Sequence, residues 1–375
     1  MKNPFEYGST VSGSAFFDRE AIKAEILNVV DGGNNVLLYG PRRYGKSSLV
    51  TQLFTELSGQ GTVCILIDMM EIRSLDVFVR RYAEATYRAL AQREGAFRRV
   101  AGFFRSLRPT LTLDESGSPS LSVGFASRTA GDAELGEVLD LPEKLADGRE
   151  VVIAIDEFQE VSRLMRGRAF ERLMRARIQR HQNVSYVFLG SSKHMLRRMF
   201  TSRSEPFYNS AETFLLEKPP ADDSVRFLIR RFKSSGIRLP NELSGKIVDL
   251  ADNIPYYLQA IGSWVFASVV VRKAKAVTEA DIADGYRRMW NSKRDLFETL
   301  FAGYSATQCA LLLALAKEPT ARFEEDYRTR HGLGGSSTVN TALKLLLESG
   351  DVDFVEEKNR IADPLFCEYL RRCGI

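Results

Sequence analysis

One stretch near the N-terminus, NNVLLYGPRRYGKSSLV over residues 34–50, constrains the fold more than any other. A short apolar run, Val36 to Tyr39, leads into Gly40-Pro41-Arg42-Arg43-Tyr44-Gly45-Lys46-Ser47, and a helix-compatible run starts at Ser48. This is GxxxxGK[ST] in a strand–loop–helix setting. Two glycines let the backbone curl so that successive N–H groups point at phosphate oxygens, and the following helix adds the positive end of its dipole. In such a loop Lys46 places a cation on the β- and γ-phosphates, and the Ser47 hydroxyl is a ligand for Mg²⁺. A chain with this loop is expected to be α/β with a mostly parallel sheet.

Four further apolar runs fit that sheet: Val63 to Ile67, Val151 to Ile155, Tyr186 to Leu189 and Phe214 to Leu216. They lack polar alternation, as strands covered on both faces by helices do. One helix is expected over about Leu75 to Leu107. After it, Pro109 to Phe125 alternates around a Ser-Gly-Ser-Pro turn and reads as an inserted β-hairpin. Beyond Pro219-Pro220 the pattern is helical: 222–235, 242–251, 255–274 and 278–301. A last segment offers a helix at 306–317, a polar stretch, a helix at 336–349, two short strands and a closing helix at 365–372. That is the outline of a winged helix. The expected domains are a P-loop core over 1–219, a helical lid over 220–300 and a winged helix over 301–375.

The third apolar run delivers Asp156 and Glu157 to the carboxyl end of a strand, where ligands of α/β folds bind. Asp156 is expected to hold Mg²⁺, and Glu157 to act as general base for an attacking water. Glu160 reads as a solvated helix residue. The fourth run ends in Gly190-Ser191-Ser192-Lys193-His194. Ser191 is the choice for a polar contact to the γ-phosphate or the water; the plain alternative is a pair of serines capping a helix.

These residues, together with NPFEYGSTVSGSAFFDRE, PFYNSAETFLLEKP, ADNIPYYLQAIG and DPLFCEYLRR, resemble the archaeal-type ATPase family. That family belongs to the signal-transduction (STAND) ATPases and is related to the initiator branch of AAA+ proteins. The resemblance runs over nearly the whole chain. It implies an ASCE-type P-loop core, a helical lid, a C-terminal winged helix and a switch cycling between ATP and ADP. Phe17, Arg19 and Glu20 match an N-terminal element that packs beside the base. Pro255 matches a lid proline on the adenine side. The nucleotide-contacting set is then Gly40, Pro41, Arg42, Arg43, Tyr44, Gly45, Lys46, Ser47, Ser48, Phe17, Arg19 and Pro255. Two positions depart from the family pattern: Asn253 stands where glycine is usual, and Asn209-Ser210 replaces Gly-Arg.

Charge is distributed unevenly. The whole chain carries +4, too little for a polycation that coats nucleic acid. From Arg163 to Arg203, however, eleven cations face one acid, Glu171. Three readings stand: a phosphate-tracking surface for nucleic acid, an interface delivering an arginine to a neighbouring subunit, and a solvated face. From Gly334 to Asp363 three cations face six acids, against ordinary major-groove docking by the winged helix. A protein–protein or intramolecular clamp role is therefore expected of this domain at least as much as DNA docking; for the chain as a whole a protein partner or self-association is expected, with nucleic acid a further candidate through the Arg163–Arg203 segment. The four cysteines form no CxxC pair, and there are three histidines, so neither a zinc site nor a disulfide framework is expected. No run approaches the length of a membrane span, and the expected location is the cytoplasm.

Overall fold

A computed structural model describes residues 2–8, 16, 19–90, 96–113, 119–125, 131–164, 166–355 and 357–373. The chain forms two compact units. One comprises Glu20–Gly40 and Leu49–Leu215, the other Met1–Arg19, Pro41–Ser48 and Leu216–Ile375.

The first unit opens with α1 (Glu20–Asp31) and β1 (Val36–Tyr39); α2 (Lys46–Gly59), whose first turn is the end of the phosphate loop, belongs to it from Leu49 on. β2 (Val63–Asp68) and α3 (Leu75–Leu90) follow. Of the helix expected over about 75–107, the structure describes α3 and α4 (Ala96–Phe103), residues 91–95 lie outside the described residues, and the helical stretch ends before Leu107, which already lies in a strand. β3 (Leu107–Leu113) pairs antiparallel with β4 (Pro119–Phe125), Leu107 opposite Phe125. The turn residues Ser116 to Ser118 lie outside the described residues. α5 (Asp132–Leu139) and α6 (Leu141–Ala146) lead to β5 (Val151–Asp156), α7 (Gly167–Ile178), β6 (Val184–Gly190), α8 (Lys193–Thr201) and β7 (Glu212–Leu215).

The sheet order is β2-β5-β6-β1-β7, and every pair is parallel. The three inner strands are buried almost throughout, as unbroken apolar runs should be. The edges differ: Leu66 on β2 is 53% exposed, and β7 is mostly exposed. An edge strand lacks a neighbour on one side, so an apolar run alone did not reveal how little of these two would be covered. Beneath the tips of β5 and β6 lies a knot of aromatic rings. Phe158 packs 4.6 Å from Phe188 and 5.1 Å from Phe207, centroid to centroid. Phe158 is fully buried and directly follows Glu157, so the aromatic core fixes the turn that carries the acidic pair.

The second unit holds α9 (Ala221–Ser234), α10 (Asn241–Leu250), α11 (Pro255–Val271) and α12 (Glu279–Ala302). Phe5 enters this helical group, 4.9 Å from the Phe232 ring. α13 (Ala306–Lys317) and α15 (Ser336–Ser349) flank a short α14 (Glu325–Arg330), which falls in the stretch read only as polar. Its residues EDYRTR carry almost no apolar period; only Tyr327 is buried, and its hydroxyl donates to the Glu318 carbonyl at 2.7 Å. β8 (Val352–Val355) and β9 (Lys358–Ile361) form the wing, and a bridge between Thr320 and Asn359 adds a third edge to it. α16 (Pro364–Cys373) closes the chain, packing Phe366 5.5 Å from Phe297 of α12.

Candidate phosphate-binding site

β1 and β6 are neighbours, with Tyr39 opposite Gly190, and β6 lies beside β5. In a parallel sheet all carboxyl ends open on one edge. That edge carries Asp156, Glu157 and Ser191, and Gly40 at the start of the loop donates its N–H to the Gly190 carbonyl at 3.4 Å.

Within the loop, Gly45 has φ +90°, and a Cβ built there would meet nothing within 4 Å. Arg43 is also left-handed, at φ +70°. Left-handed residues interleaved with ordinary ones turn N–H groups inward, forming an anion-binding nest with an open hollow over Gly45. Lys46 is 6% exposed, and its ammonium donates to the Pro41 carbonyl at 3.0 Å, which folds the lysine back over its own loop. Arg42 and Ser47 are exposed, and Ser48 is half-buried.

Arg43 is engaged on several sides. It donates to the Tyr257 hydroxyl and to the Asp363 carboxylate. Its guanidinium lies 5.0 Å from the Tyr256 ring centroid and 5.2 Å from that of Tyr257. Its backbone carbonyl accepts from Tyr256 N–H at 3.3 Å, in the first turn of α11 that Pro255 begins. Arg19 approaches the same loop, donating to the Tyr44 carbonyl at 3.5 Å. Burial lowers the Arg19 pKa to about 10, which leaves it charged at neutral pH. Of the sequence-derived contacts, Phe17 lies outside the described residues. Glu20 begins α1 and pairs with Lys23 at 2.7 Å.

At the tip of β5, Glu157 adopts φ +49°, a left-handed conformation uncommon outside glycine and asparagine. Asp156 accepts from Glu157 N–H at 2.8 Å. Ser191 Oγ donates to Glu157 Oε2 at 2.8 Å, so this serine is committed to the carboxylate rather than to capping. Ser192 occupies the N-cap of α8 without a side-chain cap bond. Gln159, which the sequence did not single out, also donates to Glu157 Oε2. Glu160 pairs with Arg163 at 2.7 Å.

The departures from the family pattern are accommodated locally. Asn253 takes φ +52°, the region that makes glycine usual there, and asparagine tolerates it. Its amide donates to the Pro219 carbonyl at 2.6 Å and accepts from Ser224. Ser210 Oγ donates to the Phe207 carbonyl at 2.6 Å and so closes a turn.

Taken one by one, the two residues the sequence offers for Mg²⁺, Ser47 and Asp156, carry hard oxygens of the kind that ion prefers; no cluster of three or more His, Cys, Asp or Glu able to hold a metal occurs among the described residues. Mg²⁺ is ordinarily held by one or two protein oxygens, with phosphates and water completing its shell.

The Arg163–Arg203 segment is less cationic in three dimensions than in sequence. Arg163, Arg166, Arg168, Arg177 and Arg198 pair with Glu160, Asp132, Glu205, Asp140 and again Glu205. Arg172, Arg180, Arg197 and Arg203 remain exposed. No described helix is long and apolar enough to cross a membrane.

The parallel sheet, the phosphate loop and the C-terminal winged helix define a P-loop ATPase fold. A family of ATPase domains found predominantly in Archaea matches residues 16–261, and the chain belongs to it. A winged-helix family matches residues 295–372. Among solved structures, the chain is similar to a Walker-type ATPase of Pyrococcus abyssi: 20% identity, 98% of this chain and 99% of that one covered, TM-score 0.71. The ORC2 protein of Aeropyrum pernix, solved as ADPNP–ADP complexes, shares 12% identity over 94% and 92% of the two chains at TM-score 0.56. The ORC1 protein of the same organism, in complex with DNA, shares 15% over 96% and 94% at 0.52. At these identities the likeness is one of fold. Among curated proteins no sequence match was found.

Proposed function

We propose that this chain is an ATP-binding and ATP-hydrolysing switch of the STAND type, whose winged helix responds to the state of the phosphate loop. The observation that carries this reading is the tie between Arg43 of the loop and Asp363, the residue preceding α16, with Tyr256 and Tyr257 of α11 enclosing the guanidinium. Arg43 sits among the loop residues that receive the phosphates, so a phosphate oxygen competes with the Asp363 carboxylate for the same cation. Loop occupancy is thereby linked to contacts in the helical group and the winged helix.

In the reaction, the nest around Gly45 and the Lys46 ammonium bind the triphosphate. Ser47 and Asp156 would hold Mg²⁺, which supplies charge neutralisation at the β- and γ-phosphate oxygens. Glu157 accepts a proton from the water that attacks the γ-phosphorus, the bond to the bridging oxygen breaks, and ADP and phosphate result. Ser191 holds the carboxylate that does this.

Phosphate release by the parent and by Glu157→Gln tests the reading: a loss of about 100-fold or more is expected for removal of a general base, and equal rates refute hydrolysis at this site. Self-association belongs to the same proposal. ATP-loaded Glu157→Gln is expected to elute earlier than the ADP form on a sizing column, and identical elution removes it.

A further inference from the structure

We propose that Gln159 is a positioning residue for Glu157, an amide clamp that fixes the carboxylate for proton transfer; this rests on the reading of Glu157 as the base. Gln159 is 4% exposed, and its Nε2 donates to Glu157 Oε2. The same oxygen accepts from Ser191 Oγ at 2.8 Å and from Ser191 N–H at 3.3 Å. Three donors on one oxygen hold the plane of the carboxylate. Oε1, which accepts no bond from a described residue, is the oxygen available to take a proton.

The other end of the amide shows what the arrangement is for. Gln159 Oε1 is buried without a hydrogen-bond partner. A buried unsatisfied carbonyl opposes folding, so a glutamine serving only as packing would be better replaced by methionine or leucine. The amide is retained where its donating end meets Glu157. Its oxygen lies against Gly190, where a Cβ would fall 2.1 Å away. Residue 190 must therefore lack a side chain for Gln159 to occupy this place. Gly190 is also the residue whose carbonyl receives the Gly40 N–H, which connects the clamp to the entrance of the phosphate loop. Glu157 itself is held left-handed, a conformation that persists only where surrounding contacts enforce it.

The test is steady-state ATP hydrolysis by the full chain with Gln159→Met, which keeps the shape and removes the donor. Loss of orientation without loss of the base is expected to lower kcat by about 10- to 100-fold. KM, ATP affinity by calorimetry and melting temperature should stay close to the parent's. Gln159→Glu, of the same size but carrying a charge that repels Glu157, is expected to lower kcat at least as far. In a Glu157→Gln background, Gln159→Met should add no further loss, because the group it acts through is gone.

An unchanged or raised kcat in Gln159→Met, or a fall matched by weaker ATP binding, overturns the clamp. A full additional loss on top of Glu157→Gln also overturns it. If Glu157→Gln alone hydrolyses like the parent, the base assignment and the clamp fail together. If Glu157→Gln is slow while Gln159→Met is not, the clamp alone fails.

Discussion

Two basic regions of this molecule look alike in sequence and behave differently in structure. The phosphate loop places Arg42, Arg43 and Lys46 within five residues, and the Arg163–Arg203 segment carries eleven cations. In the loop, Arg43 reaches partners more than 200 and 300 residues away, Tyr257 and Asp363. In the segment, five arginines are matched by nearby carboxylates of the same compact unit. Counting charges along a chain therefore overstates the availability of the second region and understates the reach of the first. Available charge is what remains after local pairing, and exposed pairs of this kind stabilise by only about 0.2–1 kcal/mol each.

The largest effect should come from removing Lys46, the cation proposed to bind the phosphates. Lys46→Ala is expected to weaken ATP binding by about 100-fold or more, since a charge-assisted contact to phosphate is lost in a buried position. Calorimetry checks it, and an unchanged affinity would break the assignment of the loop.

Next is the one acid within the arginine segment. Burial, reinforced by the neighbouring Glu205 charge and opposed by Arg168 and Arg198, raises the Glu171 pKa from 4.5 to about 7. The folded protein thus keeps a proton that the unfolded chain has already released between those values, so stability falls as pH rises through that window. Glu171→Gln removes the penalty. It should leave stability near pH 4.5 almost unchanged and raise it by roughly 1–3 kcal/mol at pH 8. Urea unfolding at both pH values reads the difference, and a gain independent of pH contradicts the cause assigned.

The fold was largely legible because its signals are local. Unbroken apolar runs gave the parallel sheet, and the glycine spacing gave the phosphate loop between β1 and α2. What remained hidden depends on distance or exposure. The Arg43–Asp363 pair joins residues 320 apart and leaves no local pattern. Gln159 follows the acidic pair in the turn Phe158–Arg163, FQEVSR, which is itself mostly polar, so neither period nor charge sets this one glutamine apart from its neighbours; its burial, not its sequence context, distinguishes it. α14 lacks an amphipathic stripe, and the exposure of β7 follows from its edge place in the sheet.

A smaller effect sharpens the long-range side of the comparison. Asp363→Asn removes the charge that engages Arg43, on a pair that is partly exposed, so ATP affinity should rise by about two- to fivefold as the guanidinium is released to the phosphates. Calorimetry with ATP against ADP measures this. Unchanged affinity for both nucleotides would mean that Arg43 is not shared between the carboxylate and the ligand.

The smallest expected effect is none, and it bears on the arginine segment. If its cations tracked a nucleic-acid backbone, binding to duplex DNA would fall steeply with salt, by a slope of about 0.9 for each phosphate neutralised. With five arginines already paired, Arg172, Arg180, Arg197 and Arg203 are the exposed remainder, and they come from α7, its C-terminal end, α8 and the loop after α8. Filter retention of duplex DNA is therefore expected to show no salt-sensitive component between about 50 and 200 mM. A steep slope that decreases by about one unit in each of Arg172→Ala and Arg197→Ala would reverse the comparison. The paired arginines would then be supporting a nucleic-acid surface, and the loop's tie to Asp363 would be transmitting nucleotide state to a protein already bound to DNA.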